Sequence, residues 1–189
     1  IEKLYMNCIY NLEDSYSFNG NTTAFVQMED GVNTQGLAVG ITFVYPHFRK
    51  PGLNAGMLTR YLLEKCSTTI EALEALHQLP IASAQTLTIA DKSGEIAVVE
   101  CNTKEIEIIH PHDGEQFVAT ANNFNSEKMQ DYRNPDIDDW RSSERYQTAY
   151  TALIENKDNY TVKFAQELLA GKYGFMCQFN PLPLYQTVL

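Results

Sequence analysis

No block of lysine and arginine occurs anywhere in the 189 residues, and acidic residues outnumber basic ones, 24 to 14, for a net charge of −10. Phosphate binding needs a basic stripe, so this absence argues against a nucleic-acid partner. Long apolar runs are missing too, and the longest here are far too short to cross a bilayer. The opening residues Ile1-Glu2-Lys3-Leu4-Tyr5 carry neither a basic n-region nor an apolar h-region, so no signal peptide is visible. Ile1 stands where an initiator Met is expected, so the chain reads as mature, processed or an excerpt. There is no C-x-x-C: Cys8, Cys66, Cys101 and Cys177 are widely spaced. Cys66, within a helical pattern, and Cys101, at a strand end, read as small buried hydrophobes, which favours a reduced, cytoplasmic protein. Internal repeats, low-complexity segments and linkers are absent, so residues 1–189 are read as one domain. A hydrophobic content of 44% is enough for a sizeable core at this length.

What is present alternates between two periods. Residues 1–23 are polar and show no clean pattern. A strand is expected over 24–28, turn chemistry over Glu29–Gly36, and a strand buried on both faces over 37–45. Met57, Leu58, Tyr61, Leu62 and Cys66 recur at helical spacing within 54–66. Thr68-Thr69-Ile70-Glu71 is a capping box that opens a second helix, which stops before Pro80. The β-branched, alternating segments 85–90, 95–101 and 105–109 predict an antiparallel meander, and a further strand is expected over 116–121. Residues 125–140 read as a polar, acidic loop, followed by helices over about 142–155 and 161–170. Strand pairs alternating with helix pairs predict an α+β class with helices packed outside antiparallel sheets.

Two residues stand out for chemistry. Asn122 ends an apolar, strand-like run, where its side-chain amide can donate to a developing oxyanion. Arg145 sits one turn into a helix, and its guanidinium offers a fixed fork. Read alone, Asn122 is a cap and Arg145 a solvated helix residue, so their context decides.

That context resembles a known family. Asp30-Gly31-Val32-Asn33-Thr34-Gln35-Gly36-Leu37-Ala38-Val39-Gly40-Ile41-Thr42-Phe43 is similar to a turn-strand segment of the linear amide C–N hydrolases. These include choloylglycine hydrolases, penicillin V acylases and acyl-CoA:6-aminopenicillanic acid acyltransferases. Thr120-Ala121-Asn122 resembles their strand end, and Ser142-x-x-Arg145-Tyr146 their helix start. Gly52-x-Asn54-Ala55-Gly56-Met57 with Arg60, and the pair Val99-Glu100, are similar to the acyltransferase-like branch. The likeness runs in order over about 24–180. It implies an N-terminal-nucleophile αββα sandwich: two stacked antiparallel sheets between helices. It also implies a Cys acyl-enzyme, with no cofactor or metal. The oxyanion donors it implies are the Asn122 amide and the Thr42 backbone N–H, and Arg145 would keep the nucleophile's surroundings electropositive.

The chain departs from the family at Ile1, which has no nucleophilic atom, and the family's leading Cys with its G-R-N-x-D segment has no match. The economical expectation is a core trimmed at both ends, without amidase activity as it stands. Cys8 reads as structural, Asn33 as a left-handed turn residue, and His110-x-His112-Asp113 as a solvated turn rather than a metal site. His47 and His77 have no recognisable partner. The functions weighed are an amidase or acyltransferase acting on a small-molecule acyl amide, a non-catalytic module binding an acylated ligand, and an unrelated α+β domain. A homo-oligomer is allowed by the first.

Overall fold

In the computed structural model, residues 4–134, 136–137 and 140–176 are described. Seven strands form one antiparallel sheet among them, in strict chain order: β1 (Met6–Tyr10), β2 (Phe18–Thr22), β3 (Asp30–Asn33), β4 (Ala38–Phe43), β5 (Gln85–Ala90), β6 (Ile96–Cys101) and β7 (Ile106–Ile109). Helices α1 (Ala55–Lys65) and α2 (Thr69–Gln78) fill the connection between β4 and β5. A 3₁₀ helix (Glu127–Tyr132) and helices α3 (Ser142–Glu155) and α4 (Val162–Leu169) follow the sheet. The α+β class stands. Of the strands expected to divide between two stacked sheets, those over 37–45, 85–90, 95–101 and 105–109 share this one sheet, within the described residues.

Successive strand residues point to opposite faces, so the registers sort the sheet into a helix face and an open face. On the helix face, Val39, Leu87, Ile89 and Val99 meet Leu58, Leu62 and Leu63 of α1 and Leu76 of α2, all at most 3% exposed. Each fully buried side chain of this kind stabilises the fold by roughly 1.5–3 kcal/mol. The open face carries the cross-strand row Asn21, Asp30, Gly40 and Thr88, with Thr42 and Thr86 in a neighbouring row. Small and polar residues prevail there, and a cleft lined by Thr42, Thr88, Thr120, Leu153 and Leu168 separates part of it from α3 and α4. Ala152, Phe164 and Leu168 hold those two helices together.

Several segments differ from expectation for identifiable reasons. Residues 24–28 turn instead of extending: Phe25 adopts φ 64°, and Gln27 N–H closes onto Ala24 C=O at 3.3 Å. Their apolar character serves Met28, fully buried beside α1, while Phe25 lies exposed. Half of the expected 29–36 turn is strand β3, and only Thr34 to Gly36 reverse the chain, with Gly36 at φ 88°. Gly31 is not a turn residue: a Cβ there would meet Leu63 Cδ1 at 2.7 Å and Asn19 O at 2.8 Å. Its hydrogen lets α1 approach the sheet. The unpatterned 1–23 segment supplies β1 and β2, where Asn7, Asn19 and Asn21 bond one another in place of an apolar stripe. Residues 116–120 enter no ladder, and Ala121 forms an isolated bridge with Asn123.

Asn33 likewise departs from its reading. It lies in β3 and not in a left-handed turn, and its amide is fully used. Nδ2 donates to Leu63 O at 3.0 Å and Cys66 O at 2.7 Å, while Oδ1 accepts from the N–H groups of Gln35 and Leu37. One side chain thus caps the end of α1 and closes the β3–β4 turn. In the capping box, Thr68 Oγ1 accepts from Glu71 N–H as expected. The Glu71 carboxylate reaches one residue further back, to Ser67 N–H at 2.6 Å and Ser67 Oγ at 2.7 Å. The N–H of Thr69 goes instead to Asp91 Oδ2 at 2.8 Å, tying α2 to the β5–β6 turn.

Candidate active site

The peptide leading to Asn122 is anchored on the open face by hydroxyls. Thr42 Oγ1 donates to Ala121 O at 2.9 Å, and Thr120 Oγ1 donates to Thr86 Oγ1 at 3.0 Å. The Thr42 and Thr86 hydroxyls also bond each other. Threonines at matched positions of β4 and β5 therefore fix a segment that has no ladder of its own. Beyond Asn122 the chain is gripped by Glu100, which is fully buried: its carboxylate accepts from Asn125 N–H at 2.5 Å, Ser126 N–H at 3.1 Å and Ser126 Oγ at 2.6 Å. Phe124 then packs with Val44, Ala84 and Met129 in a separate small core.

Held from both sides, Asn122 is 7% exposed, and its amide orientation is unambiguous. Arg145, a pure donor, gives Nη2–H to Asn122 Oδ1 at 2.9 Å, and Asn122 Nδ2 donates to Phe43 O at 2.9 Å. Arg145 is itself 8% exposed and braced by its Nε–H to Trp140 O at 2.9 Å. A cation on Oδ1 polarises the amide, which makes its N–H groups better donors. Nδ2 carries a second hydrogen beyond the one given to Phe43, and Asn122 lines a cavity of about 630 Å³.

Thr42 lies close by, but its amide is engaged. Ile41 N–H goes to Glu29 O on one side of β4, so strand alternation turns the Thr42 N–H to the opposite side, towards Thr86 of β5. The structure brings Asn122, Arg145 and Thr42 together, and Thr42 contributes its hydroxyl to the anchor described above. Tyr146, beside Arg145, has its phenol pushed above the ordinary value by burial, then by the charges of Glu100 and Glu115, so it stays protonated at neutral pH.

The cavity has two characters. Val44, Tyr45 and Ile137 supply apolar surface, while Asn122, Asn123, Arg133 and Ser143 supply polar groups. Among the described residues, no cysteine lines it. Cys101 is fully buried, and burial above all drives its thiol up to about 12, with the Glu100 charge adding to the rise and a Gln85 hydrogen bond opposing it. Burial and then Glu71 raise Cys66 to about 11. Both are protonated and inert at neutral pH. Cys8 sits on β1 in register with Gly20, three strands from β4, or about 14 Å at the usual spacing. Cys177 lies outside the described residues. His47 has found a partner, the Arg133 carbonyl at 2.8 Å from Nε2. Among the described residues, no three His, Cys, Asp or Glu side chains are placed to hold a metal ion. No helix there is long and apolar enough to cross a membrane.

The sequence model for acyl-coenzyme A:6-aminopenicillanic acid acyl-transferase matches residues 2–180. The chain belongs to that family. Its fold is similar to that of a penicillin V acylase from Agrobacterium tumefaciens (TM-score 0.60, 19% identity), covering 92% of this chain and 61% of that one. It is also similar to a variant of the conjugated bile acid hydrolase from Clostridium perfringens (TM-score 0.63, 16% identity), with 98% and 74% covered. A Caenorhabditis elegans ortholog of N-acylethanolamine-hydrolyzing acid amidase shows the same likeness (TM-score 0.63, 17% identity), with 89% and 74% covered. At these identities the likeness is one of fold. No curated protein matches the chain. This member of the acyltransferase family spans 61% of the length of the penicillin V acylase.

Asn122 and Arg145 stand out in the sequence because of the motifs around them. Glu100, Asn123, Arg133 and Ser143 were given no role in the sequence reading. The available signal for Arg133 was its charge, since it stands in a loop otherwise read as acidic.

Proposed function

We propose that this chain is the core of an amidase or acyltransferase that cleaves a linear amide of an acylated small molecule through a cysteine acyl-enzyme. The cysteine belongs to a segment of the longer protein outside residues 1–189. The observation that carries the reading is the Asn122 amide: locked by Arg145 and Phe43, polarised through Oδ1, and keeping one N–H at the cavity. The thiolate attacks the amide carbonyl carbon, so a C–S bond forms and the carbonyl oxygen becomes an oxyanion that takes the Asn122 N–H. The C–N bond then breaks, and the amine leaves with the proton first taken from the thiol. Water or another amine collects the acyl group.

Arg145 acts through Asn122 and leaves the region electropositive for the thiolate. The Thr42 backbone N–H is the second oxyanion donor in this reading. It requires the end of β4 to loosen from β5 when substrate binds, as catalytic hydrogen bonds often tighten only in the complex. The protein is read as cytoplasmic and as forming a homo-oligomer, the latter checked by sedimentation.

The test is an assay of the gene product extended upstream, beside residues 1–189 alone, on acyl amides of graded chain length. Turnover by the extended protein, abolished when its leading cysteine is replaced by alanine, supports the proposal. Turnover by residues 1–189 alone would overturn the placement of the nucleophile.

A further inference from the structure

The strand registers set Thr42 of β4, Thr86 of β5, Glu100 of β6 and Glu107 of β7 directly opposite one another, so the four share one row on the open face. Residues 120–128 cross this row. Their parts are bonded to its members in turn. Thr42 Oγ1 donates to Ala121 O, and Thr120 Oγ1 to Thr86 Oγ1. The amides of Asn125 and Ser126 donate to Glu100, and Lys128 Nζ pairs with Glu107 at 3.2 Å. The chain that carries Asn122 is therefore strapped across four strands by side chains, over about 14 Å at the usual strand spacing.

One member of the row is unlike the rest. Glu100 is 0% exposed, and no Lys, Arg or His among the described residues lies within ion-pair distance of it. A buried carboxylate without a counter-ion is costly, so hydrogen bonds have to hold it. Both oxygens are committed: Oε1 to Asn125 N–H at 2.5 Å, and Oε2 to Ser126 N–H at 3.1 Å and Ser126 Oγ at 2.6 Å. All three donors come from the loop just past Asn122. An apolar side chain would fill the space without the cost of a buried carboxylate, but it would leave those amides without an acceptor.

What the carboxylate supplies is position. Asn122 lies between two anchors, the Ala121 carbonyl on the Thr42 hydroxyl and the Asn125 amide on Glu100. Its own partners, Arg145 Nη2 on α3 and the Phe43 carbonyl on β4, belong to other elements. Releasing the second anchor lets Asn122 slide against both of them. Glu100 does not line the cavity, so it reaches the site only through this loop.

We propose that Glu100 is a positioning residue for the reaction: through Asn125 and Ser126 it fixes where the Asn122 amide stands when the oxyanion forms. This rests on the acyl-amide reading above and deepens it. The effect belongs to the transition state and leaves substrate binding alone, because a displaced oxyanion donor costs rate more than affinity.

Two variants test this in the extended protein, with octanoyl p-nitroanilide as substrate and kcat referred to the sites counted by labelling the leading cysteine. Glu100→Gln removes one acceptor oxygen. Ser126→Ala removes only the hydroxyl bond and serves if the first variant fails to fold. We expect kcat to fall about 10- to 100-fold in Glu100→Gln, since a misplacement on the order of 1 Å is enough for such a loss. In Ser126→Ala the fall should be about three- to tenfold, with KM within about twofold of the parent in both. The 189-residue chain gives a readout that needs no turnover: in heteronuclear NMR spectra the Asn122 side-chain amide signals should move in both variants. Unmoved Asn122 signals with unchanged kcat per labelled site would make Glu100 a stabiliser of the fold alone, overturning the proposal and leaving the acyl-amide reading standing. A raised KM at unchanged kcat would put Glu100 in substrate binding and overturn it too. If the parent extended protein shows no turnover, the acyl-amide reading fails. The Asn122 signals then decide the part of Glu100: movement supports the positioning, and stasis overturns it.

Discussion

At the scale of single residues, two buried asparagines do different work. Asn33 satisfies two helix-end carbonyls and two turn amides at once. Asn33→Ala should therefore cost several kcal/mol, at about 1–3 kcal/mol for each buried group left orphaned, measured by urea denaturation. Asn122→Ala should act on both stability and rate. It leaves the Arg145 guanidinium and the Phe43 carbonyl without this partner, at about 1–3 kcal/mol for each buried group orphaned. In the catalytically competent, extended protein we expect kcat to fall by a further factor of roughly 10²–10³, the usual range for one lost oxyanion donor. A large stability loss without a specific loss of rate would make Asn122 a structural residue. Asn122 and Arg145 both sit in the motifs that carry the family resemblance, and the structure adds a direct bond between them. Sequence reading misjudged Asn33 because asparagine is equally suited to a positive φ and to bridging backbone groups, and only tertiary contacts select between them.

Elements were legible wherever the burial pattern had one dominant partner. Helices α1 and α2 show clear helical spacing because both face the same side of the sheet. Residues 24–28 and 116–121 have strand composition but lack a neighbouring strand with a free edge, so side-chain bonds and turns take over their polar groups. Strands β1 and β2 went unseen because asparagine ladders replace apolar alternation. Gly31→Ala tests the closeness of α1 to β3. With Leu63 Cδ1 2.7 Å from the new Cβ, we expect a loss of about 1–3 kcal/mol in denaturant melts. The tie between α2 and the β5–β6 turn has a pH signature. Burial works to raise the Asp91 carboxyl, but the Ser93 hydroxyl and the amides of Thr69 and Ser93 outweigh it and hold the group down to about 2. A depressed carboxylate contributes stability that is complete above its unfolded value of about 3.9 and is lost as pH falls through about 2. Asp91→Asn should thus lie below the parent in stability at pH 5–7, and the two curves should converge between about pH 4 and 2.

On the scale of the whole molecule, one sheet has a side closed by α1 and α2 and a side of small, polar side chains where the candidate site is built. The α+β class and the family were readable because the motifs lie in order along the chain. The expected division into two stacked sheets gives way to one sheet among the described residues, since alternation reports that a strand is half-buried and not which sheet it joins. Function belongs to the same scale, because in the proposed reading Asn122 and Arg145 stabilise charge and neither side chain can attack an amide. Accordingly, residues 1–189 alone should release no amine from acyl amides in a fluorescamine assay, whereas the extended protein should. Cys8→Ala should leave the extended protein's rate unchanged. Loss of activity in that variant would move the nucleophile to Cys8.

The sheet's neighbour order is the order of the chain, β1 to β7, without a crossover. Each new strand therefore zips onto the one just made, and closing it costs little loop entropy apart from the α1–α2 excursion. During synthesis, the seven described strands and the main core they share with α1 and α2 can form once about residue 110 has cleared the ribosome. Asn122, Arg133 and α3 arrive only afterwards, onto a finished support. Lesions in these late segments should therefore leave a folded but idle protein, whereas lesions in β3 or α1 should stall assembly and expose the nascent chain to aggregation and proteolysis.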